Sequence, residues 1–194
     1  MEEIDVITKS FKVSQIIDSN FCGSFKIIKI FKEHPKGEKK ARLVNIVTGF
    51  TKVKEIRALH SRHINDPYYP RICGVGFIGE GQYKCRTKGV KTKSYAAWEN
   101  MIWRVYGEHR LSNRYFGRNA SVEQSWHNYQ IFAEWITENH VEGYVLDKDI
   151  LYPGNVIYDP EYCVFIPQEI NKVFCSMNKH RGDYPVGVCL GSKT

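Results

Sequence analysis

The sequence contains no C-x-x-C pair. Its six cysteines, Cys22, Cys73, Cys85, Cys163, Cys175 and Cys189, stand at irregular gaps, which excludes the local signature of a thiolate zinc site. Free thiols are expected, several of them buried as small hydrophobes. No apolar run approaches the roughly 18–20 residues of a membrane span, so a membrane partner is not expected. The opening "MEEIDVITKSFK" is acidic and lacks an apolar stretch, so no secretory leader is expected and the chain is assigned to the cytoplasm. Acids are scarce in the first part. Residues 1–120 hold 23 lysines and arginines against 11 acids, whereas residues 121–194 hold 5 against 10. A basic part joined to an acidic part points to a polyanion-binding surface coupled to a different function. What is present is otherwise ordinary: 194 residues, 42% hydrophobic and 25% charged, enough for one domain with a core or for two small ones.

Residues 25–56 read as short strands. "SFKIIKIFK" alternates Phe25, Ile27, Lys29 and Phe31 against Lys26, Ile28, Ile30 and Lys32. "ARLVNIVTGFTKVKEI" is β-branched and broken at Thr48-Gly49, with the lysine-rich loop "EHPKGEKK" before it. Gly74, Gly76, Gly79, Gly81 and Gly89 punctuate a loop-and-turn connection. The first three match G-x-G-x-x-G, yet no strand-then-helix unit frames them and no acid follows on a second strand about 20 residues on. Tight turns explain them.

Helical text begins at Ser94, the expected N-cap, with Trp98, Met101, Ile102 and Val105 at i, i+3, i+4, i+7 and Gly107 as the stop. Ser121 and Gln124 spell a capping box for a second helix with the stripe Trp126, Tyr129, Ala133, Ile136. Residues 144–177 then spell strand, turn, strand, helix, with Pro167 opening a helix whose apolar side is Ile170, Val173, Phe174 and Met177. The expected class is α+β: a small β-rich basic module over 1–90, a helical connector and a C-terminal ββα-metal-like unit within 91–178, and a tail over 179–194.

In "YVLDKDIL", alternation places Asp147 and Asp149 on one strand face, Asn155 in the turn, and Asn171 on the first turns of the helix. Oxygen ligands of this kind suit Mg²⁺ or Mn²⁺, which polarises a phosphodiester and stabilises the leaving oxygen. The same spacing also describes the wet face of a half-exposed hairpin.

The residues Trp126, Phe132, Trp135, "LDKDIL" (146–151), Gly154-Asn155, Tyr158, Pro160, Cys163, "FIP" (165–167) and Ile170-Asn171 resemble the phage-encoded H-N-H-type endonucleases, a branch of the ββα-metal nucleases. The resemblance covers about residues 70–178. It implies catalytic roles for Asp147 and Asp149, metal ligation by Asp149 and Asn171, and a structural loop role for Asn155. The family's general base is a histidine on the first strand, and "LDKDIL" has none. His127 is the candidate substitute, with His140 the other histidine near in sequence. The tail "RGDYPVGVCLGSKT" resembles the first strand of an ethylene-response-factor-like DNA-binding module that stops almost at once.

DNA is the expected partner. Candidate phosphate contacts are Lys36, Lys39, Lys40, Lys52 and Lys54, followed by Arg86, Lys88, Lys91 and Lys93. His60 and His63 read as surface histidines. Against the endonuclease stand two readings: a catalytically degenerate protein of the same frame that binds DNA or a host protein, and an adaptor whose acidic C-terminal part docks on a basic partner.

Overall fold

The computed structural model describes residues 3–107 and 120–174. The chain divides into two units, Met1–Gln82 with Asn128–Gln130, and Tyr83–His127 with Ile131–Thr194.

The first unit is an antiparallel sheet of β1 (Ile4–Asp5), β2 (Ile16–Asp18), β3 (Ser24–Lys32), β4 (Lys40–Asn45) and β5 (Thr51–Glu55), followed by one turn of helix, α1 (Ile56–Leu59). β3, β4 and β5 form a meander, while β1 and β2 share the other edge of β3. Simple alternation of β3 fails at one point. The β3–β4 register slips between Ile27 and Lys29, a bulge that turns Ile30 inward in place of Lys29. Phe31 is buried as well, beneath Lys29 and Arg42, which lie 5.9 and 5.4 Å from its ring centre. Phe25, Ile27, Leu43, Leu59 and Ile64 form the centre of the core; each such side chain contributes about 1.5–3 kcal/mol on burial.

Polar atoms inside this unit are matched. Asn45 donates to the Cys22 carbonyl at 2.8 Å and accepts from the Val47 amide at 2.9 Å, holding the Thr48-Gly49 turn. Gly79 has φ +74°, and a Cβ there would collide with the Asn128 side chain. The glycine is needed for that close approach, beside which the Tyr129 amide donates to the Phe77 carbonyl at 2.9 Å.

The second unit opens with a hairpin, β6 (Arg86–Thr87) and β7 (Val90–Lys91). Lys88 and Gly89 close it with φ of +49° and +81°, the twisted two-residue turn that matches paired strands. Helix α2 (Lys93–Tyr106) follows. Its N-cap is Thr92, whose Oγ1 accepts from the Tyr95 amide at 3.3 Å; Ser94 lies inside the helix, which corrects the expected start. The stop at Gly107 stands, and Trp98, Met101, Ile102 and Val105 are all buried. Trp98 Nε1 donates to the Trp126 carbonyl at 2.7 Å.

The expected capping box is also corrected. Ser121 belongs to β8 (Ser121–Val122), parallel to β10 (Ile157–Tyr158), and a 3₁₀ turn (Gln124–His127) intervenes before α3 (Tyr129–Asn139). Pairing with β10 holds the Ser121 backbone extended, and Asn128 Oδ1 accepts from the Gln130 amide at 3.0 Å at the helix start. β9 (Tyr144–Asp147) and β11 (Val164–Pro167) pair antiparallel, Asp147 opposite Val164 and Tyr144 opposite Pro167. Helix α4 (Gln168–Phe174) packs on both strands. Pro167 ends β11 and does not open the helix, because the ladder carries it to its last residue, opposite Tyr144.

The α+β class stands, and the order strand, loop, strand, helix is present. Ile170 is 43% exposed. The side chains of Val173 and Phe174, together with Cys175, Met177, Cys189 and the tail 179–194, lie outside what the structure describes. Cys22 and Cys163 are free thiols, both buried. Among the described residues no helix is long and apolar enough to cross a membrane.

Candidate nucleic-acid site

The loop after β9 is organised by its own polar side chains. Asp147 Oδ1 accepts from the backbone amides of Asp149 and Ile150, both at 2.8 Å. These bonds bend the chain off the strand, which ends at Asp147. Asp149 therefore leaves the direction that alternation gave it, and the two carboxylates do not share a strand face. Lys148, 8% exposed, pairs with Asp149, donates to the Asn155 carbonyl, and lies 5.9 Å from the Tyr158 ring centre. Asn155 closes the loop from the other side. Its Nδ2 donates to the carbonyls of Lys148 and Ile157 at 2.8 and 2.7 Å, and its Oδ1 accepts from the Ile157 amide at 2.9 Å. Burial pushes the nearby Cys163 thiol up to about 12, which leaves it unreactive.

Beside this loop the second unit contains a cavity of about 730 Å³ between α2, α3, β9 and α4. Its buried lining is largely apolar, with Met101, Ile136 and Tyr158 each under a tenth exposed. Its exposed lining carries Lys93 and Arg104 from α2, His140 after α3, and Gln168 and Lys172 from α4. Asn100 and Asn171 add carboxamides. The one acid among the lining residues, Glu142, is paired with Lys93 at 2.6 Å. That lysine holds its carboxyl below the usual carboxylate value, so Glu142 stays ionised and matched.

Of the residues the sequence singles out, Asn171 and Lys93 line this cavity, whereas Asp147, Asp149, Asn155 and His127 do not. His127 sits on the 3₁₀ turn, edge-on to Tyr106, with its Nε2 3.2 Å from the tyrosine oxygen. Burial there lowers its pKa below 6.5. The histidine that does line the cavity is His140, whose ring meets Phe165 edge-on. His140 was the other histidine the sequence offered, whereas Asn100, Arg104, Gln168 and Lys172 were not singled out. One signal was readable: Lys93, Ala97, Asn100 and Arg104 recur at helical spacing on the flank of the α2 stripe.

The expected phosphate contacts fall in both units. In the first, Lys39, Lys52 and Lys54 donate to the carbonyls of Ile7, Asn65 and His63 at 3.2, 3.4 and 2.6 Å, and Lys40 pairs with Glu33. In the second, Arg86 donates to the Gly89 carbonyl at 2.8 Å and Lys91 pairs with Glu99. Lys36 and Lys88 make no ion pair among the described residues. His60 and His63 are exposed and rest on Phe11 and Phe21.

Fold and site together define an α+β protein of two units, the second carrying a ββα unit beside a cation-lined cavity. Comparison with protein-family models, curated proteins and solved structures finds no match for the chain.

Proposed function

We propose that this chain binds DNA and cleaves phosphodiester bonds with a divalent metal ion, as a phage-encoded H-N-H-type endonuclease acting in the host cytoplasm. The observation that carries the reading is the strand–loop–strand–helix unit of residues 144–174. Its first strand and its helix both contribute to a cavity that also holds His140 and Arg104. Among the described residues no group of three or more His, Cys, Asp or Glu side chains gathers to hold an ion, so the reading rests on one acid of the loop and one carboxamide of the cavity lining. Asp149 already carries the Lys148 ammonium, but Asp147 uses only Oδ1 for the turn and keeps Oδ2. Asn171 offers a carboxamide oxygen. One carboxylate and one carboxamide, completed by water and phosphate oxygens, suit Mg²⁺ or Mn²⁺. An ion held by Asp147 and Asn171 would supply charge stabilisation at the leaving oxygen. Arg104 and Lys172 hold the phosphate by charge, and His140 accepts the proton of the attacking water. The remaining lysines and arginines supply sequence-independent affinity.

A second reading, a protein of this frame that binds DNA or a host protein without cutting, is favoured by the Asp149–Lys148 pair and by the absence of histidine from "LDKDIL". Incubation with plasmid and duplex oligonucleotides in Mg²⁺, Mn²⁺ or EDTA separates the two. Nicking that EDTA abolishes and that His140→Ala slows by about 10²–10⁴-fold supports the enzyme. Salt-sensitive binding without nicking supports the second reading with DNA as the partner, and no DNA binding at low salt removes the enzyme and leaves a protein partner.

A further inference from the structure

We propose that the cavity of the second unit is a binding site for one nucleoside 5′-phosphate, held with its base out of any helical stack. The inference goes beyond strand cleavage and does not require it. Three features of the lining carry it. The volume of about 730 Å³ lies within the roughly 300–1,000 Å³ of small-ligand sites, far more than a bare phosphate fills. Its exposed cations, Arg104 and Lys172, come from two separate helices, and His140 adds a ring nitrogen beside them. With Glu142 matched by Lys93, their charge favours an anion, and Arg104 offers the forked geometry that grips phosphate oxygens.

The third feature selects the rest of the ligand. Asn100, Gln168 and Asn171 bring three carboxamides to the same space, each able to donate to and accept from the edge of a nucleobase. Tyr144, 38% exposed, presents a ring on which a base stacks, a contact tolerant of base identity. The buried Met101, Ile136 and Tyr158 exclude water behind it. A purely apolar ligand would leave the cations unmatched, and inorganic phosphate would leave the apolar lining wet.

The nucleotide can come free or as an unpaired residue of a strand, and the chemistry recognised is the same. The test is calorimetric titration of the full chain with dAMP, dGMP, dCMP, TMP and inorganic phosphate, without metal. A parallel titration uses a duplex carrying a single-nucleotide bulge and the same duplex fully paired. Nucleotides are expected to bind more tightly than phosphate. Arg104→Gln should weaken nucleotide and phosphate alike, by about tenfold. Tyr144→Ala should weaken nucleotide by about tenfold and leave phosphate unchanged. Both residues are exposed, and circular dichroism confirms that the variants fold. Tighter binding of the bulged duplex than of the paired one identifies the strand as the source; equal binding of the two, with free nucleotide bound, identifies the free form. Phosphate bound as tightly as nucleotide, or nucleotide binding indifferent to both substitutions, overturns the proposal. A protein that binds nucleotide and never nicks DNA satisfies it.

Discussion

Asn155 shows how much one side chain can hold. Its three hydrogen bonds tie the segments around Lys148 and Ile157 together. Asn155→Ala leaves two carbonyls and an amide without partners, so it should destabilise the protein by about 2 kcal/mol in urea unfolding; no change would show that water replaces the amide. Asp149 stands in a similar position, because its removal strands the Lys148 ammonium, 8% exposed, without its counter-ion. Loss of activity in an Asp149 variant would therefore mix chemistry with folding. His127 reports on its surroundings through pH. Burial lowers its pKa, against the opposing pull of Glu123. The unfolded chain then binds more protons than the folded one in the acid range. The contribution is complete above pH 6.5 and is lost as pH falls through the lowered value. The melting temperature should decline below pH 6.5, and His127→Gln should flatten that part of the profile; identical profiles would contradict this account.

The β6–β7 hairpin offers a test at the scale of an element. Lys88 occupies a left-handed turn position, φ +49°, where asparagine is preferred. Lys88→Asn should keep or raise stability while reducing the slope of log affinity for duplex DNA against log salt by about 1; an unchanged slope removes Lys88 from the interface. Elements differed in how far they could be read from sequence. The α2 stripe was legible because Trp98, Met101, Ile102 and Val105 all face one buried side. Helix starts were not, since Thr92 caps α2 where Ser94 was the nearer candidate, and pairing with β10 claims Ser121. Alternation misled twice, at the Ile27–Lys29 slip and at Asp147, whose own hydrogen bonds end the strand. The cavity was illegible because α2 meets walls drawn from residues 136–172, and no local spacing encodes that convergence.

At the scale of the whole molecule, charge and fold point the same way. Residues 1–120 carry the surplus of lysine and arginine, and the ββα unit lies in the acidic remainder beside a cavity lined by cations. A protein that engages about six phosphates should lose roughly 10³-fold in affinity between 50 and 200 mM salt. Binding alone, however, does not distinguish an endonuclease from a protein that has only kept the frame. The central claim is metal-dependent cleavage through Asp147, and Asp147→Asn isolates it. The amide retains an Oδ1 that accepts from the amides of Asp149 and Ile150, so the turn survives, while the charge a metal needs is gone. The measurement is the rate of supercoiled-plasmid nicking in Mg²⁺ by wild type and by Asp147→Asn of equal melting temperature. The account predicts nicking by the wild type and a loss of about a hundredfold or more in the variant. Equal rates for the two proteins, or no nicking by the wild type in Mg²⁺ or Mn²⁺, would contradict it.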